Sequence, residues 1–187
     1  VPGLYYFFIG EEVGCIGSGL AAKYGDFEGK YDRIISFDRR GTNSIITFQS
    51  TGRSCSDEFA DDLCSELNKS GMSYQKDDGG VYTDSAEFVS LIPECTNVSV
   101  GYYKEHTINE QQDINHLSFL ADACVLVDWE SLTTKRDPSK VEYKSYGHWD
   151  DFDYDGMEWD GFDYVKKSKR KRDRRNKRRS TARRQNG

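Results

Sequence analysis

Long apolar runs are missing from this 187-residue chain. None approaches the roughly 20 residues that a membrane-spanning helix needs, so no membrane segment is predicted. A Cys-x-x-Cys pair is also missing. The five cysteines, Cys15, Cys55, Cys64, Cys95 and Cys124, are odd in number and widely spaced. That argues against a disulfide framework and for a reducing compartment, and the expected location is cytoplasmic. There is no Gly-x-Ser-x-Gly and no Gly-x-x-x-x-Gly-Lys, which excludes the serine nucleophile elbow and the phosphate loop. The first residues carry neither a charged n-region nor a cleavage-site pattern, so no signal peptide is read there. Hydrophobic residues make up only 36% of the chain, low for a globular domain, and the deficit lies mainly toward the C-terminal end.

Charge is unevenly spread. Residues 166–187 hold 13 of the 26 Lys and Arg against one acid, Asp173, a net of +12; the rest carries −18, which together give the overall −6. An acidic body with a basic tail is not one uniform surface. The stretch 146–164 is acidic and aromatic, as in His148-Trp149-Asp150-Asp151-Phe152-Asp153-Tyr154. Neither it nor the basic run has a helical or strand period, and both are expected to be disordered.

The informative stretch is Tyr5-Tyr6-Phe7-Phe8-Ile9-Gly10-Glu11-Glu12-Val13-Gly14-Cys15-Ile16-Gly17-Ser18. An apolar run of strand length ends at Gly10, and two adjacent carboxylates follow. Neighbouring residues in an extended segment point to opposite sides, so Glu11 and Glu12 need not play the same part. One can ligate a metal while the other moves a proton. Asp38 ends a second apolar run, Arg33-Ile34-Ile35-Ser36-Phe37-Asp38. His106 follows a third, Val98-Ser99-Val100-Gly101-Tyr102-Tyr103. Three strand ends thus present Glu, Asp and His, donors that suit zinc, manganese or cobalt.

Phe8-Ile9-Gly10-Glu11-Glu12-Val13-Gly14-Cys15-Ile16-Gly17-Ser18 resembles the Glu-Glu motif of the co-catalytic, two-metal zinc exopeptidases, the group of aminopeptidases and carboxypeptidases built on a mixed sheet. Asp38 falls where that group places its next ligand. His106-Thr107-Ile108-Asn109-Glu110 resembles its closing histidine with a trailing glutamate. The resemblance runs from about Tyr5 to about Glu130. It implies two divalent metal ions, zinc by analogy, with Glu11 as general base, Glu12 and His106 on one ion and Asp38 on the other. It further implies a peptide or acyl-amino-acid substrate. Glu110, Asp84 and Tyr103 are weaker candidates for supporting a ligand or touching substrate, with Tyr102 beside them. His116 reads as a packed or solvated helix residue, and His148 as an incidental one in the acidic run. The family also has a His-x-Asp segment and a bridging Asp before Glu-Glu, whereas only ten residues precede Glu11 here and none is His or Asp. The expectation is therefore the C-terminal part of a catalytic domain, inactive alone. The other reading is a non-catalytic descendant of the fold acting as a binding module, with residues 166–187 contacting nucleic acid or an acidic partner weakly.

Alternating strand and helix signals predict an α/β fold: a mixed, mostly parallel sheet covered by helices, three-layered as in the zinc exopeptidases, with its N-terminal part missing and a disordered C-terminal tail. The expected segments are 1–132 as the peptidase-like domain, 133–165 as an acidic and aromatic linker, and 166–187 as the basic tail. Strands are predicted at 5–9, 32–37, 44–48, 72–76 and 96–103. A helix capped by Ser18 is predicted through Lys23. Another, capped by Ser54 or Ser56, runs to Ser70 with Phe59, Leu63 and Leu67 inward. A last helix is predicted over 109–130 with Ile114, Leu117, Ala121, Cys124 and Val125 on its inner face.

Overall fold

The computed structural model of the chain describes residues 3–144, together with the backbone of 157–159 and 164–166. Its first regular element is helix α1, Ile16–Tyr24. Strand β1, Arg33–Arg39, follows, then β2, Ser44–Ile46, and a small ribbon of β3, Phe48–Gln49, with β4, Gly52–Arg53. Helix α2, Asp57–Lys69, leads to β5, Gln75–Asp77. After a 3₁₀ turn at Asp84–Phe88 come β6, Glu94–Ser99, and the short pair β7, Tyr102–Tyr103, and β8, Gln111–Gln112. Helix α3, Ile114–Leu126, and a 3₁₀ turn at Trp129–Ser131 complete the series.

The main sheet has the order β1-β6-β2-β5. β1 and β6 are parallel, β2 and β5 are parallel, and β2 meets β6 antiparallel. This is a mixed, mostly parallel α/β sheet, as the alternation of signals predicts. β6 is buried along its whole length, as befits a central strand covered on both sides. Neighbouring residues of a strand face opposite ways, and two apolar clusters use that. Ile35 and Val98 join Phe59, Leu63, Leu67 and Leu120 on one face, where α2 and α3 lie. Ile34 and Cys95 join Phe27, Phe88 and Ile92 on the other, with Ala21 and Ala22 of α1 against them.

α2 forms as its sequence dictates. Ser56 caps it by accepting from the Phe59 amide, Asp57 and Glu58 occupy the first turn, and Phe59, Leu63 and Leu67 are buried. Elsewhere the structure departs from expectation. Residues 5–9 form no strand. Phe8 packs on the Phe88 ring, but Phe7 is 95% and Ile9 78% exposed, and the Ile9 carbonyl accepts from Gly17 of α1 rather than from a strand. Ser18 is not a cap; it lies within α1 and is fully buried, while Cys15 takes the N-cap position at φ 50°. The run expected as one strand over 96–103 breaks at Gly101, whose φ of 92° turns the chain from β6 into β7. α3 is shorter than expected. Asp113 caps it by accepting from the His116 amide, and Ile114, Leu117 and Val125 point outward while Leu120 and Ala123 face the core.

Residues 133–144 have no regular structure yet are tied to the body. Asp62 accepts from the Thr133 amide, Glu94 accepts from the amides of Lys135 and Arg136, and the Glu142 carbonyl accepts from the Arg53 amide. The compact unit therefore runs to Lys144, twelve residues past the change in composition at Leu132. In the second unit, Met157–Trp159 pairs antiparallel with Tyr164–Lys166, where the sequence shows no period. The other expectations for the acidic and basic segments, His148 included, lie outside the described residues.

Candidate functional site

α1 approaches residues 9–11 so closely that the turn between them is fixed. The Glu11 carbonyl accepts from the amides of Gly14 and Cys15, and Gly10 accepts from Ile16. Gly10 itself sits at φ 73°, where a side chain would be strained. A Cβ on Gly17 would lie 2.8 Å from the Ile9 backbone, so only glycine lets α1 begin there. Ser18, one residue on, donates from its hydroxyl to Asp84. The helix start therefore binds the 3₁₀ turn that carries Asp84 and holds the Glu11-Glu12 turn over the sheet.

Asp38 lies within β1, next to its last residue, rather than beyond it. Its amide donates to Asn97 Oδ1 across the parallel β1–β6 pair at 2.9 Å, and its Oδ2 accepts from the buried Thr83 hydroxyl at 3.0 Å. Tyr102 donates from its hydroxyl to the Asp38 carbonyl at 3.2 Å. His106 stands in a loop that begins after β7, with both His106 and Lys104 in the left-handed region, φ 60° and 58°. That conformation is uncommon without glycine. Local bonds hold it: Glu110 accepts from the His106 amide at 3.0 Å, and Thr107 donates to the Lys104 carbonyl at 2.7 Å. Arg40 of the next turn pairs with Glu105 at 2.6 Å.

These segments meet round one pocket of about 420 Å³, whose lining includes Glu11, Glu12, Asp38 and His106. Four residues separated by up to 95 positions are thus gathered beside the carboxyl end of β1. At the mouth, Glu12 Oε2 lies 3.3 Å from His106 Nδ1, both side chains largely exposed. Glu11 is more enclosed. Its carboxyl pKa is raised, first by burial and then by the charges of Asp38, Glu12 and Asp84. Burial also raises Asp38, with Glu12 and Asp84 adding to it and the Thr83 hydrogen bond opposing it. Burial, followed by the charges of Asp38 and Glu105, pushes the Tyr102 hydroxyl up to about 12.

The weaker candidates separate. Glu110 holds the His106 backbone, not its imidazole. Asp84 is not in the pocket lining; it accepts from the Ser18 hydroxyl and acts on Glu11 through its charge. Tyr103 is not in the pocket lining, whereas its neighbour Tyr102 is. His116 packs away from the pocket, with Nε2 3.2 Å from the Tyr74 hydroxyl. Among the lining residues that the sequence did not single out are Gln49 and Asn97, because neutral amides belong to no catalytic motif. Only the sheet register could have shown that Asn97 falls beside the pocket.

A two-metal centre can be tested against these donors. Ligands about 2.0–2.1 Å from a tetrahedral ion stand about 3.3 Å apart, the separation that Glu12 and His106 show. Asp38, however, is turned to Thr83, and among the described residues no three His, Cys, Asp or Glu side chains converge closely enough to hold one ion. The donors fit one edge of one coordination shell; they do not close a site.

Fold and pocket together define a mixed α/β domain with a pocket lined by four carboxylates, two arginines and one histidine. No family model matches the chain, and no curated protein matches it. Among solved structures it is similar to PhTET1-12s, recorded as a dodecamer, with 23% identity and a TM-score of 0.49 over 64% of this chain and 40% of that one. The chain thus spans less than half of that neighbour's length.

Proposed function

We propose that this chain contributes to the centre of a metal-dependent hydrolase that cleaves a peptide or amide bond. The observation that carries the reading is the gathering of Glu11, Glu12, Asp38 and His106 round one pocket, with Glu12 and His106 set at the spacing of two ligands on one ion. Glu12 and His106 would hold one ion and Asp38 a second. A bound ion would polarise the scissile carbonyl and lower the pKa of the attacking water. Glu11, beside Glu12, Asp38 and His106 in the same pocket, would be the group to take a proton from that water and pass it to the leaving amine. A raised carboxyl pKa suits this role, because a general base works best near the operating pH. Thr83 and Asn97 fix Asp38 from two sides, and Glu110 fixes the His106 backbone.

Cobalt(II) titration followed by absorption tests the reading on the chain as it stands. Binding should be weak, should vanish in His106→Ala and Glu12→Gln, and should persist in Glu11→Gln. Equal losses in all three variants would show that the roles are misassigned. Binding that is untouched by His106→Ala would move the reading to a non-catalytic binding module.

A further inference from the structure

The segment before α1 and the outer side of α1 form one apolar face. Tyr6 and Phe8 stack on each other over Phe27 and Phe88, so their neighbours Phe7 and Ile9 turn outward. Ala21 and Ala22 of α1 cover the same cluster, and Ile16, Leu20 and Tyr24, spaced four apart, line the opposite side of the helix. Val13 joins the two parts. A Cβ on Gly10 would lie 3.3 Å from both Val13 Cγ2 and Ile16 Cβ, and one on Gly17 would lie 2.8 Å from the Ile9 backbone. Phe7, Ile9, Val13, Ile16, Leu20 and Tyr24 are all half exposed or more. The single charge on α1 is Lys23, whose ammonium lies 5.0 Å from the centre of the Tyr24 ring. An aromatic side chain has about 150–250 Å² of surface and an aliphatic one less, so the six expose roughly 800 Å². The largest apolar patch on a typical monomer is about 300–600 Å².

We propose that this face is an interface with a second copy of the chain, formed about a two-fold axis with the two α1 helices antiparallel. Its area matches what a stable dimer needs: about 800 Å² from each partner, roughly 1,600 Å² in all. Its chemistry is self-complementary. A face with one charge has nothing to select a charged partner, whereas apolar side chains fit their own kind. The antiparallel arrangement sets the two Lys23 at opposite ends and pairs opposite ends of the helix dipoles. A lipid surface fits less well, because helices that lie on membranes carry Lys and Arg beside the apolar side. Here the exposed flanking charges are the acids Glu12, Asp26 and Glu28. Ile9 and Val13 flank Glu11-Glu12 in sequence, so the second copy would seat against both sides of that turn. The inference does not depend on the hydrolase reading.

Sedimentation equilibrium of the full 187-residue chain tests it. The wild type should be a dimer with a dissociation constant of about 1 µM or below, the weak end for an interface of this size. Apolar contact should keep the dimer intact in about 0.5 M salt, where exposed charges are screened. Leu20→Glu places an unpaired charge in the interface twice and should weaken the dimer about 100-fold. Leu20→Ala, which only removes area, should weaken it about tenfold. Val125→Glu, on the exposed side of α3, should leave it unchanged. A wild-type chain that is monomeric at about 50 µM, far above the expected constant, overturns the proposal whether or not the variants fold. So does a dimer that both Leu20 variants leave intact, that Val125→Glu disrupts equally, or that dissociates in salt, since the last would assign it to the acidic and basic segments.

Discussion

Glu94 is fully buried at the start of β6, and removing its charge should be among the most damaging changes in the molecule. Its Oε2 accepts from the Ser56 amide at 2.7 Å. Its Oε1 accepts from the Ser56 hydroxyl and from the amides of Lys135 and Arg136 at 2.9, 2.7 and 3.0 Å. One carboxylate thus joins the cap of α2 to the strap 133–144, and Arg136 secures the same strap by donating to the carbonyls of Val89, Ile92 and Pro93. In Glu94→Gln, one carboxylate oxygen becomes an NH₂ facing an amide donor. Wherever the new NH₂ is placed, at least one N–H loses its acceptor, and the bonds that remain lose their charge assistance. A buried unmet donor costs about 1–3 kcal/mol, so Glu94→Gln should cost about 2 kcal/mol. Glu94→Ala strands all four donors and leaves a cavity, which places it at about 4 kcal/mol, the range seen on breaking buried charged networks. A domain of this size has about 5–15 kcal/mol in all. Urea unfolding of the three proteins measures both costs, and limited proteolysis between 133 and 144 reports whether the strap is released first. A Glu94→Gln variant within about 0.5 kcal/mol of wild type, the usual scatter for a surface substitution, would refute the reasoning.

Glu11 and Asp38 both have carboxyl pKa values raised in the folded chain. The folded state therefore binds their protons more tightly than the unfolded state does. Stability from these two groups should fall as pH rises from the ordinary carboxylate range through the raised values. The double variant Glu11→Gln/Asp38→Asn should flatten that slope and be the more stable protein at neutral pH, and parallel pH–stability curves from urea titrations would contradict this. Gly80 sits in the pocket wall where a Cβ would meet the Phe48 carbonyl oxygen at 2.2 Å and Ile46 Cγ2 at 2.3 Å. Gly80→Ala should therefore cost about 1–3 kcal/mol by overpacking, read as a lower thermal midpoint. The basic segment 166–187 should bind RNA weakly and with strong salt dependence. Titrations at two salt concentrations, with and without that segment, check this, and unchanged binding on its deletion would rule the segment out.

What could be read from the sequence was what local periodicity and donor chemistry encode. Phe59, Leu63 and Leu67 recur on one face of α2 and lie buried there, and Ser56 is at its cap. Glu11, Glu12, Asp38 and His106 stood out because acids and histidine after apolar runs are chemically conspicuous, and all four line the pocket. Failures followed from long-range facts. Residues 5–9 have the hydrophobicity of a strand, but hydrophobicity does not name a hydrogen-bonding partner, and the Ile9 carbonyl is taken by α1. α3 is apolar nearly all round, so no period could say that Leu120 rather than Leu117 faces inward. Ser18 has the chemistry of a cap, yet the structure uses its hydroxyl for Asp84, 66 positions away. Tyr102 and Tyr103 differ only in strand parity, and parity is set by the β7–β8 pairing.

The pocket draws its walls from the turn before α1, the end of β1, Ile46 of β2 and Gln49 of β3, the segment after β5, and the strands and loop from Asn97 to His106. Hardly any two of its walls are neighbours in sequence, so the unfolded chain retains no version of it. Whatever enters the pocket therefore binds the native state alone, and its free energy of binding adds in full to the stability of the domain. At a concentration one hundred times its dissociation constant, a ligand would add about 2.7 kcal/mol. The domain is thus its own reporter: a rise in melting temperature identifies an occupant of the pocket before any reaction has been found for it.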